Sequence, residues 1–450
     1  MLPNPFRTFR DHCLSIFQAA AADSLRPAGA APMPDLQRAA AAVASLDAAG
    51  LAVPPGGPSD IRPEAWTCAR LGLDLLRAEL GGSPADRARL EDALTGSRCD
   101  PRWAGTLLSY LGYFGRDGQR RRIPYIPPEA AGPGVIQIAD NARIALLSDW
   151  GTGRRTATAV LQDLARHQPG IVIHLGDIYY AGTAAECEDN FRRPMDLALD
   201  RARRQVPVYT LSGNHDMYSG GEGYYGLIGR LNDGPWRQRA SYFCLRSANR
   251  RWQFIAMDTG LHAYDPFERH PLTFLEPAEE SWVAARIGEF PGQTVLLSHH
   301  PLFSASARIG PGGPDGWNPH LLASFRRFAA AGRVAAWFWG HEHTLALHAP
   351  FAGLARGRCI GCGAIPMFVA DRPYAPLPEL HSAPALLPPR LGDDGVTYDH
   401  GYAIVSLDPD GPARADYFGV GSQTGLLHSE ALETGTSAMA AEPLMRSQPS

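Results

Sequence analysis

The chain has 450 residues, enough to bury a large core and to divide into two domains. Hydrophobic residues make up 45%, charged residues 20%, and the formal net charge is −4, which excludes a polyanion binder held by bulk positive charge. All 42 Lys-plus-Arg positions are arginine, so no mechanism needing a Schiff-base or P-loop lysine is available.

The N-terminus reads Met-Leu-Pro-Asn-Pro-Phe, and Arg7, Arg10 and Asp11 break any apolar run, so it lacks the pattern of a secretory signal. No apolar stretch reaches the roughly 18 residues of a membrane span. Seven cysteines, an odd number without framework spacing, suit a reducing compartment. Together these features predict a cytoplasmic protein. Residues 1–120 read as a small all-α domain. Leu36, Ala40, Val43 and Leu46 follow helical spacing, as do Trp66, Ala69, Leu73, Leu76 and Leu80. Ser83-Pro84-Ala85-Asp86 is a helix start, and Trp103–Phe114 is a further apolar stretch. Residues 121–138 carry closely spaced prolines and read as an extended connector.

From 139 to 425 short apolar runs alternate with helical stretches. Strands are predicted at 144–148, 171–175, 206–211, 252–258, 295–298 and 334–339, and helices at 153–167, 184–200, 277–289 and 319–331. Hairpin turns near 247–250 and 408–411 make the sheets mixed rather than purely parallel. The Cys359–Cys362 pair has no second CxxC and reads as buried strand residues. Residues 219–225 hold three glycines and form a turn or a substrate lid. Residues 365–398 read as a long loop over a site. The polar residues 426–450 read as a disordered tail.

Five of the predicted strands run into polar clusters of metal-ligand type: Asp149-Trp150-Gly151, Gly176-Asp177-Ile178-Tyr179-Tyr180, Gly213-Asn214-His215-Asp216, His299-His300-Pro301 and Gly340-His341-Glu342-His343. Ligands of open α/β sheets gather beyond the carboxyl ends of strands, so the five should converge. Two aspartates, one asparagine, one tyrosine and three histidines exceed the needs of a tetrahedral zinc. They suit two ions sharing a carboxylate, as in phosphoryl displacement. Imidazole mixed with carboxylate favours Fe, Mn or Zn. His215-Asp216 reads as a dyad in which the acid orients the imidazole. Arg154 and Arg155 read as surface residues or as anion-steering groups at a helix start.

These motifs resemble the calcineurin-like metallophosphoesterases, and within them the purple acid phosphatase branch. Four elements match as they stand. The fourth in chain order departs: Leu296-Leu297-Ser298-His299 has Leu where that branch carries Val. The resemblance covers residues 140–425 and implies a four-layer α/β/β/α sandwich with mixed sheets. It implies that Asp149, Tyr180 and His343 hold a ferric ion, that Asn214, His299 and His341 hold a divalent Fe, Zn or Mn, and that Asp177 bridges them. A Mn or Fe(II) pair is the alternative. His215 would then meet the substrate with Asp216 behind it. His300, next to a ligand in the chain, reads as a substrate contact or as a structural histidine. Relatives outside the purple branch open with Asp-x-His and lack the tyrosine; here Gly151 stands at the histidine's place. The implied activity is hydrolysis of a small-molecule phosphate monoester by metal-activated hydroxide. A phosphodiesterase using the same metals is the alternative, and a non-catalytic scaffold is the reading from another class. No bulk nucleic-acid binding and no membrane span are expected.

Overall fold

Short runs of β-branched and aromatic residues pair into two mixed sheets, and the alternation within each run decides which face meets which layer. The computed structural model describes residues 33–432, apart from 55–56, 60, 62, 82–83, 98, 116–119, 133, 266–271, 310–315, 376 and 378–382. The helices α1 (Met33–Ala48), α2 (Pro63–Gly81), α3 (Pro84–Leu94) and α4 (Ala104–Phe114) come first. The strands follow as β1 (Val135–Ile138), β2 (Arg143–Leu147), β3 (Ile171–His174), β4 (Val208–Thr210), β5 (Phe243–Ser247), β6 (Trp252–Ala256), β7 (Gln293–Leu297), β8 (Val334–Trp339), β9 (Leu345–His348), β10 (Gly357–Ile360), β11 (Leu386–Leu387), β12 (His400–Ser406), β13 (Ala413–Val420) and β14 (Gly425–Leu432).

One sheet has eight strands in the order β1-β5-β6-β7-β8-β10-β9-β11, and the other has six in the order β14-β13-β12-β2-β3-β4. Their facing side chains form one core, with Ile144, Leu146, Ile173 and Val405 against Phe254, Val295, Leu297 and Phe338. The intervening residues point outward. Ala145, Leu147 and Val172 pack on α5 (Arg155–Arg166), and Ile255, Leu296 and Trp337 pack on α8 (Pro277–Gly288) and α9 (Pro319–Ala329). The result is the four-layer α/β/β/α sandwich with mixed sheets. Both expected hairpins are present, between β5 and β6 and between β12 and β13. The short helix α6 (Asn214–Met217) and α7 (Glu222–Leu231) follow β4.

Several expectations shift. Strand β1 lies inside the segment read as a connector and pairs in parallel with β5. Residues 426–432 of the segment read as a tail belong to β14, paired antiparallel with β13; residues 433–450 lie outside the described residues. The glycine-rich stretch 219–225 leads into α7, whose Tyr224 is buried, so it is a helix entry. Arg154 is buried, not a surface residue, and pairs with Asp92 at 3.2 Å. The cysteine count reads as suiting a reducing compartment, yet Cys68 and Cys99 are joined in a disulfide, whereas Cys359 and Cys362 are buried free thiols, Cys359 on β10 and Cys362 just past its end. The helical region also shares its core with the sandwich: Val43, Trp66, Leu71 and Leu90 pack around Phe368, a residue of the long 365–398 loop.

Candidate metal centre

The carboxyl ends of β2, β3, β4, β7 and β8 all open onto one edge between the two sheets. Their polar clusters meet there although 194 positions separate the first from the last. The turns are tight. Asp149, Asp177, His341 and His343 have φ values of 55°, 74°, 70° and 49°, in the left-handed region that non-glycine residues avoid. Such strain costs about 1–3 kcal/mol per residue and gathers at functional sites. Gly213 has a different reason. A Cβ there would overlap the Asp177 carboxylate, so only glycine lets the two strand ends approach.

Two groups of donors result. In the first, Tyr179 Oη lies 2.9 Å from Asp149 Oδ1, 3.2 Å from Asp177 Oδ2 and 3.2 Å from His343 Nε2. In the second, His299 Nε2 lies 3.3 Å from Asp177 Oδ2, 3.2 Å from Asn214 Oδ1 and 3.2 Å from His341 Nδ1. The Oδ2 atom of Asp177 therefore touches both groups. His300 stands beside His299 and His341, with Nδ1 3.1 Å from the Thr259 hydroxyl. All of these side chains are buried, Asp149 and Asp177 completely.

Surrounding bonds aim the donors. His299 Nδ1 donates to the Leu175 carbonyl at 2.9 Å, so in the neutral imidazole Nε2 is the lone-pair nitrogen facing the other donors. Asp149 Oδ2 accepts from the His341 backbone N–H at 2.9 Å, tying the first strand end to the last. Burial would raise the Asp177 carboxyl, but the facing His299 and His215 imidazoles outweigh it and hold it well below the usual carboxylate range. Burial would lower His299, but the Asp177 carboxylate outweighs it and pushes the imidazole up to about 9. Burial, then the neighbouring His300 and His299, keep His341 well below its ordinary value. Ion pairs to Asp149 and Asp177 come from histidines; among the described residues neither carboxylate has an arginine ion pair.

The tyrosine implied by the resemblance is corrected. Tyr180 turns away, and its hydroxyl donates to Asp100 Oδ2 at 2.6 Å. The Tyr179 N–H donates to the Gly151 carbonyl at 2.9 Å, while the Ile178 N–H is held by Asp216. That path turns the Tyr179 ring inward and its neighbour outward. The role read for Asp216 is corrected too. Its carboxylate accepts from the backbone N–H groups of Asp177, Ile178 and Gly213 at 2.9, 3.1 and 2.8 Å, binding two loops together. Burial, then the Asp177 charge, push it up to about 8. The His215 imidazole instead donates from Nδ1 to the Tyr180 carbonyl at 2.8 Å, and its Nε2 lies 3.9 Å from Asp177 Oδ2. Tyr179 carried a sequence signal only in standing beside a tyrosine of the expected motif.

Residues 142–345 match the family model described as calcineurin-like phosphoesterase. The chain carries a calcineurin-like phosphoesterase domain. The phosphoesterase match begins just before β2 and ends at the start of β9, so it contains all five clusters. Tartrate-resistant acid phosphatase type 5 of Rattus norvegicus is 26% identical over 235 residues, covering 46% of this chain and 68% of the relative. Among solved structures, GAP50, the anchor in the inner membrane complex of Plasmodium, aligns at 12% identity and a TM-score of 0.45, over 65% of this chain and 88% of its own. A purple acid phosphatase from yellow lupin (Lupinus luteus) seeds aligns at 13% identity and a TM-score of 0.42, over 65% of this chain and 53% of its own. No helix among the described residues is long and apolar enough to cross a membrane.

Proposed function

We propose that this phosphoesterase domain hydrolyses a phosphate monoester of a small molecule at a centre of two metal ions. The observation that carries the reading is the position of Asp177 Oδ2, 3.2 Å from Tyr179 Oη on one side and 3.3 Å from His299 Nε2 on the other. Two buried carboxylates without an arginine ion pair require positive charge beside them, and oxygen and imidazole donors fit Fe, Zn or Mn. Asp149, Tyr179 and His343 would hold one ion, Asn214, His299 and His341 the other, with Asp177 shared. The two carboxylates and a Tyr179 phenolate bring three negative charges, so a trivalent–divalent pair leaves a net positive site for a phosphate ester. Two such ions, when bound, polarise the phosphoryl oxygens and lower the pKa of water.

The chain's own residues supply the rest. The His299 ring is fixed by the Leu175 carbonyl, and the His341 backbone is tied to Asp149, before substrate arrives, so little reorganisation is needed. His215 presents Nε2 toward the centre, where it would bind a phosphate oxygen or return a proton to the departing alkoxide. His300, braced by Thr259, would line the second ion's side. The enclosure of the donors favours a terminal phosphate over a diester flanked by two organic groups. The rat relative is by name an acid phosphatase, which supports the same choice.

The test compares p-nitrophenyl phosphate with bis(p-nitrophenyl) phosphate, using Asp177→Asn as control. A faster monoester rate that falls to background in Asp177→Asn is expected. A faster diester rate would make the enzyme a phosphodiesterase. Equal inertness of both proteins on both esters after metal reconstitution would leave the domain a scaffold.

A further inference from the structure

The orienting group that the sequence assigned to Asp216 must come from elsewhere, because that carboxylate is spent on three backbone N–H groups. His215 is completely buried, and one face of its imidazole meets residues outside the phosphoesterase match. The indole of Trp103 lies 5.0 Å from the His215 ring, 5.7 Å from Tyr179 and 4.7 Å from Tyr180, centroid to centroid. Tyr179 and Tyr218 complete the cage, each 4.7 Å from His215.

Trp103 is itself held firmly. It is 2% exposed, and its Nε1 donates to the Ser97 carbonyl at 2.7 Å. The Cys68–Cys99 disulfide ties the same short segment to α2. Next to Cys99, Asp100 accepts from the Gly96 N–H at 2.8 Å and from the Arg102 guanidinium at 2.7 Å. Its Oδ2 also accepts the Tyr180 hydroxyl. One rigid segment therefore makes two contacts on the centre. Trp103 packs on the His215 ring, and Asp100 fixes the tyrosine whose carbonyl receives the His215 Nδ1 proton.

We propose that Trp103 is a positioning residue for His215, assisted by Asp100 through Tyr180, so that the N-terminal helical region is a working part of the active site. This rests on the phosphoesterase reading above. The indole prevents the imidazole from swinging away from the metal side, and the Asp100–Tyr180 bond sets the height of the carbonyl that receives Nδ1. Displacement of a reacting group by about 1 Å costs on the order of a hundred-fold in rate, so the loss should appear in kcat and leave KM and metal content in place.

The experiment is a double-mutant cycle in the full chain. Wild type, Trp103→Leu, His215→Ala and the double variant are compared on p-nitrophenyl phosphate, with Asp177→Asn as the blank and metal content measured by elemental analysis. Trp103→Leu should lower kcat about ten- to a hundred-fold with KM and metal content within about two-fold, and Trp103→Phe should restore most of the rate. In the His215→Ala background, Trp103→Leu should change kcat less than about two-fold, the mark of action through one residue. Tyr180→Phe, which leaves no cavity, should lower kcat several-fold at constant metal content and serves if Trp103→Leu does not fold. Multiplicative losses in the cycle would overturn the proposal, as would Trp103→Leu and Tyr180→Phe variants that lower only the melting temperature. A wild type no faster than Asp177→Asn would instead remove the phosphoesterase reading, and the proposal with it.

Discussion

A carboxylate taken out of water needs positive charge beside it, and the centre holds two that are fully buried and face histidines. Residues at positive φ in four of the candidate ligand positions add backbone strain. Both costs make sense where bound cations repay them. The residue that best separates this account from its alternatives is Tyr179. Tyr179→Phe removes a hydroxyl that sits between Asp149, Asp177 and His343. It should weaken retention of one ion about ten- to hundred-fold, read as metal per chain after dialysis against a chelator. Tyr180→Phe should keep both ions. The five clusters were legible because each follows an apolar strand and has the right donor chemistry. Which of two adjacent tyrosines faces inward was not, because that depends on the hydrogen bond of the Tyr179 N–H to Gly151. The Asp216 role failed for a related reason: adjacency in sequence suggested a dyad, but the carboxylate satisfies the backbone of a distant loop.

At the scale of elements, the two sheets are also joined at their rims by a part-buried ion pair. Arg358 on β10 meets Glu430 on β14 in a bidentate arrangement at 2.7 and 2.8 Å, and Tyr417 adds a hydrogen bond at 2.7 Å. Burial would raise the Glu430 carboxyl, but the Arg358 guanidinium outweighs it and holds it below its ordinary value of 4.5. A carboxyl lowered on folding contributes stability that is complete above its unfolded value and is lost as pH falls through the folded one. Glu430→Gln should therefore cost about 1–3 kcal/mol at neutral pH, since Arg358 loses its carboxylate but keeps the His348 and Gly357 carbonyls, and less below pH 4.5. Chemical denaturation at pH 7 and pH 3.5 reads the difference, and an equal cost at both would count against the pairing. The central strands and their helices were legible from apolar runs and helical spacing. Strand β1 was hidden by the prolines before it, and β14 by its edge position, where one of its eight side chains is buried.

At the scale of the whole molecule, the helical region and the sandwich pack against each other. Phe368 sits in the core of the first three helices, Phe114 stacks on Tyr264 at 4.9 Å, and buried Arg154 pairs with Asp92 across the seam. Sequence periodicity showed that these helices must be buried against something, but not against what. Opening the Cys68–Cys99 link, which spans 31 residues, should cost roughly 3–4 kcal/mol from the freedom returned to the unfolded chain. The Cys68→Ser, Cys99→Ser protein should melt earlier in a single transition shared by both regions. Two separate transitions would show independent domains.

The most direct test of the central claim is metal per chain in the purified protein after reconstitution, with wild type and Asp177→Asn side by side. The account predicts two ions per wild-type chain and a loss of bound metal in Asp177→Asn together with hydrolysis of p-nitrophenyl phosphate. Full hydrolysis by a wild type stripped of metal, or two ions retained by Asp177→Asn, would contradict it.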